Sequence, residues 1–232
     1  WVIGQTIGVS VDAQDHVWVT HRGAASLENN EKGMMLTPPT SSVCCIAAPV
    51  VMEFDTNGKL VSSFGEVGKE PAGWPVSPGS LAVDGKGNIW VTGAGLVPAP
   101  PPAPGARGRG AAAGRGGPPA TPPPADAHVL KLSKTGQVLL TIGAPGKIEG
   151  PESHTTLNGP MAVAVDDAAN EVYVADTGNR RIVVFNADTG AYKRHWGAYG
   201  EKPGADPGPY SPTAAPARQF RDVTCIEIAK DG

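Results

Sequence analysis

Charge is scarce in this sequence of 232 residues, and it is nearly balanced. Charged residues make up 18% of the chain, with 19 Lys and Arg against 22 Asp and Glu, for a formal net charge of −3. Soluble domains usually carry about 25% charged residues. The sequence has neither the strong basic excess of a nucleic-acid-coating protein nor an acidic tail, so we expect no nucleic-acid partner.

Long apolar runs are also lacking. The longest candidate extends from Val43 to Met52 and is interrupted by Pro49, whereas a membrane-spanning helix needs about 18 or more apolar residues. We therefore expect no membrane span. The sequence begins at Trp1 and shows no basic segment followed by an apolar one, so we expect that any signal peptide has been removed or that the sequence is a fragment.

Cysteine is rare, with three residues in the chain, of which Cys44 and Cys45 are adjacent. This odd number matches neither a disulfide framework nor the paired cysteine knuckles of a zinc site. The adjacent pair either closes a vicinal disulfide, which requires export to an oxidising compartment, or remains two buried thiols. Cys225 falls on a predicted inner strand, where we expect it to belong to the core.

Glycine and proline are abundant, with 31 and 24 residues, which predicts many turns and few long helices. Between the turns, three pairs of short segments alternate apolar and polar residues and are joined by turns rich in Asp, Asn and Gly, as in β-hairpins. These pairs are Gly8–Asp12 with Val17–Thr20, Ser80–Asp84 with Ile89–Thr92, and Ala162–Asp166 with Val172–Ala175.

A second strand pair follows each hairpin, so each unit has four antiparallel strands. These second pairs are Val51–Gly65, Val129–Gly143 and Ile182–Gly197. Repeated four-stranded units are typical of β-propeller blades, which bury their faces against their neighbours around an axis. The sequence therefore predicts an all-β fold, part of one propeller domain, with blades at about 8–65, 80–143 and 162–197 and the start of a fourth at 223–232.

The third unit carries the motif Val-Tyr-Val-Ala-Asp176-Thr-Gly-Asn-Arg-Arg-Ile182, followed by a Phe-Asn-Ala-Asp-Thr-Gly turn. This motif resembles an NHL repeat, the unit of six-bladed propellers that include secreted bacterial proteins and, more distantly, the peptidyl-hydroxyglycine amidating lyases. The resemblance implies six blades in the whole protein. It also implies a bacterial protein that is secreted, periplasmic or associated with the cell envelope.

The long connections are predicted to emerge on one face of the propeller. The connections between the second and third strands and the links between blades share one face, and the tight hairpin turns share the other. Loops that a rigid scaffold presents commonly carry function. The candidate binding residues on this face are His21, Arg22, Trp74, Tyr199 and Tyr210. The aromatic members either contact a ligand or pin their loops to the scaffold.

One insertion in blade two, residues 97–127, differs in kind from the other loops. It contains ten prolines, six glycines, nine alanines and three arginines. Such a composition cannot bury enough apolar surface to order itself, so we expect a disordered surface segment. Its three arginines lack interleaved aromatic residues and make a poor track for RNA.

The resemblance to the amidating lyases allows a specific test. In that family an arginine follows the second strand of the first blade, and a tyrosine follows the second strand of a later blade. Zinc-binding histidines stand just before the innermost strands of blades. Arg22 stands at the arginine's position and is the candidate catalytic residue. The other positions carry neither His nor Tyr; they are Ser77–Leu81, Gly159–Val163, Asp222–Cys225 and Asp176–Asn179. We therefore expect no catalytic zinc and no metal ligands.

The five histidines do not suggest another site. His16 and His21 flank one strand at an odd spacing, which points them to opposite faces, and the other three fall on separate predicted elements: His128, His154 and His195. No nucleophile elbow, metalloprotease helix or P-loop motif occurs. We predict no cofactor, with a structural calcium ion left open.

These observations favour a secreted NHL-like propeller that acts as a binding or scaffolding module through its long-loop face. Its partner would be a protein, a peptide or a saccharide. One alternative is a metal-dependent enzyme that uses Arg22 and the central channel, with a metal held by residues outside this sequence. A second alternative is an extracellular structural protein that self-associates. Whether the protein is an enzyme stays open at this stage.

Overall fold

The computed structural model describes residues 1–95, 126–204, 212–213 and 219–229. Within these residues the chain forms twelve strands in three four-stranded antiparallel sheets and no α-helix. Blade one contains β1 Thr6–Val11, β2 Val17–His21, β3 Val51–Phe54 and β4 Leu60–Phe64. Blade two contains β5 Pro78–Val83, β6 Ile89–Gly93, β7 His128–Leu132 and β8 Val138–Gly143. Blade three contains β9 Pro160–Asp166, β10 Glu171–Asp176, β11 Arg181–Asn186 and β12 Tyr192–Trp196.

Each sheet is an up-and-down meander in which neighbouring strands in the sequence pair with each other. The alternation of side chains sets the register, as in β10, where Val172 and Val174 are buried while Tyr173 between them is half-buried. All-β architecture and four-stranded blades are thus confirmed. Short 3₁₀ turns lie in the loops, at Gly23–Ser26, Asn29–Glu31, Gly33–Met35, Thr177–Asn179 and Ala198–Gly200.

The first hairpins of blades one and two are built around an aspartate. In blade one, Oδ1 of Asp12 accepts hydrogen bonds from the backbone N–H groups of Gln14 and His16, and Oδ2 accepts from Trp18 Nε1 at 3.0 Å. In blade two, Asp84 makes the equivalent bonds, including one of 3.1 Å from Trp90 Nε1. The carboxylate therefore holds the turn and also satisfies the buried indole.

The blades pack face to face through apolar clusters. Blades one and two share a cluster of buried residues: Trp18, Val50, Val51, Phe64, Leu81, Ile89, Val91, Leu130 and Leu132. Blades two and three share a second cluster: Trp90, Val129, Ile142, Leu157, Val163, Val172, Val174, Val183, Phe185 and Ala187. Serine hydroxyls also join the inner strands, because Ser10 accepts from Val83 N–H and Ser80 accepts from Val163 N–H.

The segment that follows blade three packs against that blade. Val223 is buried with Ala162, Ala175 and Ile182, and Ile226 lies against the same cluster. Residues 222–229 run beside the inner strands without forming a ladder among the described residues. These residues form no strand, so the start of blade four at 223–232 stays a prediction, and 230–232 lie outside the described residues.

The described helical segments are all short, and none has the length and apolar character needed to cross a membrane. Most of the insertion in blade two, residues 96–125, lies outside the described residues, so its predicted disorder stays a prediction. Its final two residues differ from that expectation, because Asp126 and Ala127 are buried. The physical reason is that the Asp126 carboxylate accepts hydrogen bonds from the N–H groups of Val76 and Ser77.

Candidate functional site

Arg22 lies directly after β2, on the face from which the β2–β3 loop and the blade links emerge. Its side chain donates from Nη1 to Gln5 Oε1 at 2.8 Å, and its backbone N–H donates to the Gln5 carbonyl. Nε of Arg22 is buried and has no hydrogen-bond acceptor among the described residues. The guanidinium is therefore anchored at one corner and retains donors for a further acceptor.

His21 fixes the backbone around Arg22. Its ring is fully buried, and Nδ1 accepts hydrogen bonds from the N–H groups of Gly4 and Gly23 at 3.1 and 3.0 Å, while Nε2 donates to the Pro49 carbonyl at 2.9 Å. Burial lowers the pKa of His21 below its ordinary value. The ring is thus a neutral structural group, and the expectation that His21 faces a ligand is corrected: the N-terminal segment covers it.

Two adjoining cavities meet at Arg22, and together they form what we call the Arg22–Trp74 cleft. The first, of about 360 Å³, is mostly polar and includes Gln5, Ser26 and Glu28 in its lining. The second, of about 290 Å³, is lined on its apolar side by Val50, Trp74, Pro75, Val76 and Pro78, with Glu70 at its edge. The structure therefore brings Arg22 and Trp74 together, although 51 positions of sequence separate them.

Tyr199 does not join this cleft. Tyr199 is in the link after blade three, where its side chain is 81% exposed and its backbone adopts a φ of +58°. Tyr210 lies outside the described residues. Of the five predicted binding residues, Arg22 and Trp74 line the cleft, and the buried His21 supports the backbone beside it. Tyr199 lies elsewhere, and the position of Tyr210 is not described.

Cys44 and Cys45 are joined by a disulfide across a cis peptide bond in the β2–β3 loop. The loop packs tightly here, since a Cβ on Gly33 would clash with the Cys44 carbonyl. Cys225 differs from its sequence-based expectation, because it is an exposed free thiol and not a core residue. It lies on the lining of the inner groove, where no described segment covers it.

The inner groove follows the inner strands along the propeller axis. Its lining comes from β1, β5 and β9 and from residues 224–228. Most of the lining side chains are small or apolar, including Val9, Leu81 and Ala164, and the only ionisable side chains among them are Cys225 and Glu227. The stretches at the start of β5 and β9, Ser77–Leu81 and Gly159–Val163, contain no histidine. Within the described residues, polar side chains do not converge at the axis.

A buried ion pair lies at the β10–β11 connection of blade three, on the long-loop face. Asp176 Oδ2 accepts from Arg181 Nε at 2.7 Å and from Asn179 Nδ2 at 2.8 Å, and both charged side chains are fully buried. Burial raises the pKa of Asp176, and the neighbouring Arg181 opposes that shift. The remaining Arg181 nitrogens donate to three carbonyls of the preceding blade link, those of Pro151, Ser153 and Thr156.

Blade two anchors its link with other residues. His128 occupies the β7 position that corresponds to Arg181, and its Nε2 donates to the Gly73 carbonyl at 2.8 Å. Asp126 binds the same link through Val76 and Ser77 N–H. These bonds position the segment that carries Trp74, so the apolar half of the cleft depends on them.

Two of the five histidines, His154 and His195, meet around Tyr192 in blade three. His154, from the link before blade three, stacks on Tyr192 at a ring separation of 3.9 Å, and the Tyr192 hydroxyl lies 2.8 Å from His195 Nδ1. Burial lowers the pKa of His195. Separation in sequence hid this cluster, because the link folds back over the outer strand β12.

A further group escaped the sequence analysis. Asp12, His16 and Glu53 lie together at the turn side of blade one, with 2.7 Å between His16 Nδ1 and Glu53 Oε1. The sequence did contain an indication of this group, because pairing of the predicted strands places Glu53 opposite Trp18. Strand pairing alone would have placed these three groups near each other.

One known repeat matches part of the chain, and several solved structures are similar to it. Residues 157–185 match the NHL repeat. No curated protein sequence matches the chain. Among solved structures, a virginiamycin B lyase from Staphylococcus aureus is 12% identical with a TM-score of 0.43, and the alignment covers 86% of this chain and 43% of that one. A streptogramin B lyase structure is 15% identical with a TM-score of 0.42, covering 85% and 42%.

A third similar structure is a protein of unknown function from Bacteroides caccae, 13% identical with a TM-score of 0.38, where the alignment covers 83% of this chain and 60% of that one. The chain spans about two fifths of the length of the two lyase structures. Residues 157–185 thus carry an NHL repeat, and the described residues form three four-stranded blades.

Proposed function

We propose that this NHL-repeat propeller is a binding module, secreted or associated with the cell envelope, whose Arg22–Trp74 cleft holds an extended peptide segment. The segment presents a carboxylate next to an apolar side chain. The observation that carries the proposal is the junction of a polar and an apolar cavity at a guanidinium whose only side-chain hydrogen bond among the described residues goes to the neutral Gln5.

Arg22 supports the recognition of a carboxylate. A guanidinium binds carboxylates through charge-assisted hydrogen bonds, which are stronger than neutral ones. Among the described residues Arg22 has no salt bridge, and Gln5 is a neutral partner that holds the guanidinium without cancelling its charge. The hydrogen bonds of His21 keep the backbone on both sides of Arg22 in place, so little ordering is needed on binding.

Trp74 and its neighbours support the recognition of an apolar group. Trp74 is half-buried against the blade one–blade two cluster, so part of its ring remains available to solvent. Pro75 and Pro78 flank it and stiffen the link. Aromatic side chains held in this way are typical anchors of binding surfaces.

The alternative of a metal-dependent enzyme has less support. The inner groove offers Glu227 and Cys225 as its ionisable side chains among the described residues, and Arg22 lies in a separate cleft. An enzyme that used this groove would need metal ligands beyond the side chains that line it. The Arg22–Trp74 cleft needs no such addition to bind a peptide.

The proposal is tested by fluorescence polarisation with two pools of labelled hexapeptides. One pool combines Asp or Glu with Leu or Phe, and the other combines Lys with the same apolar residues. We expect the acidic pool to bind and Arg22→Gln to weaken its binding by about tenfold or more, since a hydrogen bond to a charged group contributes about 1.5–3 kcal/mol.

Lys59→Gln is the matched control. It removes one positive charge from an exposed side chain in the β3–β4 turn, on the opposite face. Binding should be unchanged in this variant. Equal binding of both pools, or equal weakening by Arg22→Gln and Lys59→Gln, would show that the affinity reflects overall charge and would contradict the proposal.

A further inference from the structure

Asp12, His16 and Glu53 form a compact group of three metal-ligating side chains on the turn side of blade one. Their ligand atoms all lie within 4.8 Å of one another. Asp12 and Glu53 are buried, whereas the side chain of His16 is 28% exposed and leaves a route from solvent. The group lies on the face opposite the Arg22–Trp74 cleft, so it is independent of the proposed binding function.

The strand pairing explains why the three residues meet. Asp12 follows β1 and accepts the backbone N–H of His16 across the hairpin turn. Glu53 lies on β3, directly opposite Trp18 of β2, and its Oε1 is 2.7 Å from His16 Nδ1. The hairpin and the neighbouring strand therefore hold all three side chains without help from a mobile loop.

Blade two contains the same scaffold with different side chains. Asp84 corresponds to Asp12, Asn88 to His16 and Lys131 to Glu53, because the two hairpins and their third strands have the same register. Lys131 Nζ is 3.6 Å from Asp84 Oδ2 and 5.0 Å from the centre of the Trp90 ring. The repeat thus places a cation beside this aspartate in blade two.

Blade one lacks that built-in cation. Its equivalent position carries the carboxylate of Glu53, and the neutral amide of Asn88 is replaced by the imidazole of His16. The nearest ammonium among the described residues is that of Lys134, 3.9 Å from Asp12 Oδ2, on a side chain that is 46% exposed. The exchange removes the lysine and adds two groups that ligate metals.

We propose that Asp12, His16 and Glu53 bind a divalent transition-metal ion of the Zn²⁺ class. One imidazole nitrogen and two carboxylate oxygens are suitable ligands for Zn²⁺, and three protein ligands leave a position for water. The ion takes the place of the hydrogen bond between His16 and Glu53. It ties the first hairpin of blade one to β3 in the way that the Lys131 ammonium joins the corresponding elements of blade two.

The test uses the full chain, stripped with a chelator and titrated with Zn²⁺ alone by isothermal titration calorimetry. Co²⁺ serves as a second probe, because its visible absorption reports coordination directly. The variants are His16→Asn, which copies blade two, and Glu53→Gln. We expect one ion per chain, with an affinity at least about tenfold lower in each variant.

His154→Asn is the control, since it removes an exposed histidine from another part of the protein. Circular dichroism checks that each variant is folded, and the Asn88 of blade two indicates that the hairpin tolerates His16→Asn. The proposal is overturned if the chain binds no Zn²⁺ saturably, if folded His16→Asn and Glu53→Gln bind as the parent does, or if His154→Asn alone abolishes binding.

Discussion

The ion pair between Arg181 and Asp176 should be the most costly polar interaction to break in the described part of the protein. Both side chains are fully buried, and Arg181 also donates to three link carbonyls, those of Pro151, Ser153 and Thr156. Arg181→Met removes every one of these donors and leaves the Asp176 carboxylate buried without its counter-charge. Breaking a buried pair in this way costs about 3–5 kcal/mol.

Arg194→Met in the same blade provides the matched comparison. Arg194 makes a bidentate pair with Glu171, and this hydrogen-bonded pair holds the pKa of Glu171 well below its usual range. However, the Arg194 side chain is 46% exposed, and Lys193 remains 2.7 Å from Glu171 when Arg194 is removed. We therefore expect a loss of only about 0–1 kcal/mol.

Urea denaturation followed by circular dichroism measures both losses as changes in the free energy of unfolding. A double variant, Asp176→Leu with Arg181→Met, should recover part of the stability, because it removes the uncompensated charge. The reasoning is refuted if Arg181→Met costs no more than Arg194→Met, or if the double variant is less stable than Arg181→Met alone.

Two further predictions follow from the same structure. Burial lowers the pKa of His21 in the folded protein, so the unfolded chain binds a proton at His21 more tightly than the folded one. The stabilisation that neutral His21 gives is complete above about pH 6.5, and it declines as the pH falls towards the folded pKa. NMR titration of the ring should give a His21 pKa below the ordinary histidine value, and a pKa at or above that value would contradict this. Deletion of residues 97–125 should leave blade two folded, because β6 pairs with β7 directly; a large fall in the melting temperature would count against it.

The architecture could be predicted from the sequence because its signals are local. Alternation in Val172–Ala175 and the Asp-rich turns identify the hairpins within a few residues. The strands begin slightly earlier than expected, as at Pro78, since backbone pairing continues past the alternating residues. Residues 157–185 carry the repeat motif in its most regular form, and this is the part that matches the NHL repeat.

The candidate site was only partly predictable, because its geometry depends on segments distant in sequence. Arg22 and Trp74 were identified separately, but their shared cleft depends on the blade link returning beside the β2–β3 loop. His21 was expected at the surface, yet residues 2–5 cover it, held by the bridge between Val2 and Ala47. No local pattern indicates that an N-terminal segment will be laid over the end of a strand.

The hydrogen bonds that anchor the blade links limit how a propeller of this kind can be duplicated or permuted. Arg181 belongs to blade three but is satisfied by the link that precedes it, and His128 of blade two depends in the same way on Gly73. A blade and the link before it therefore form one structural unit. A duplication that copied the four strands without the link would leave the buried Arg181 guanidinium without its carbonyl acceptors. Circular permutation and blade exchange should cut instead in the hairpin turns of the opposite face, such as the one at Gly136, whose bonds close within the turn itself.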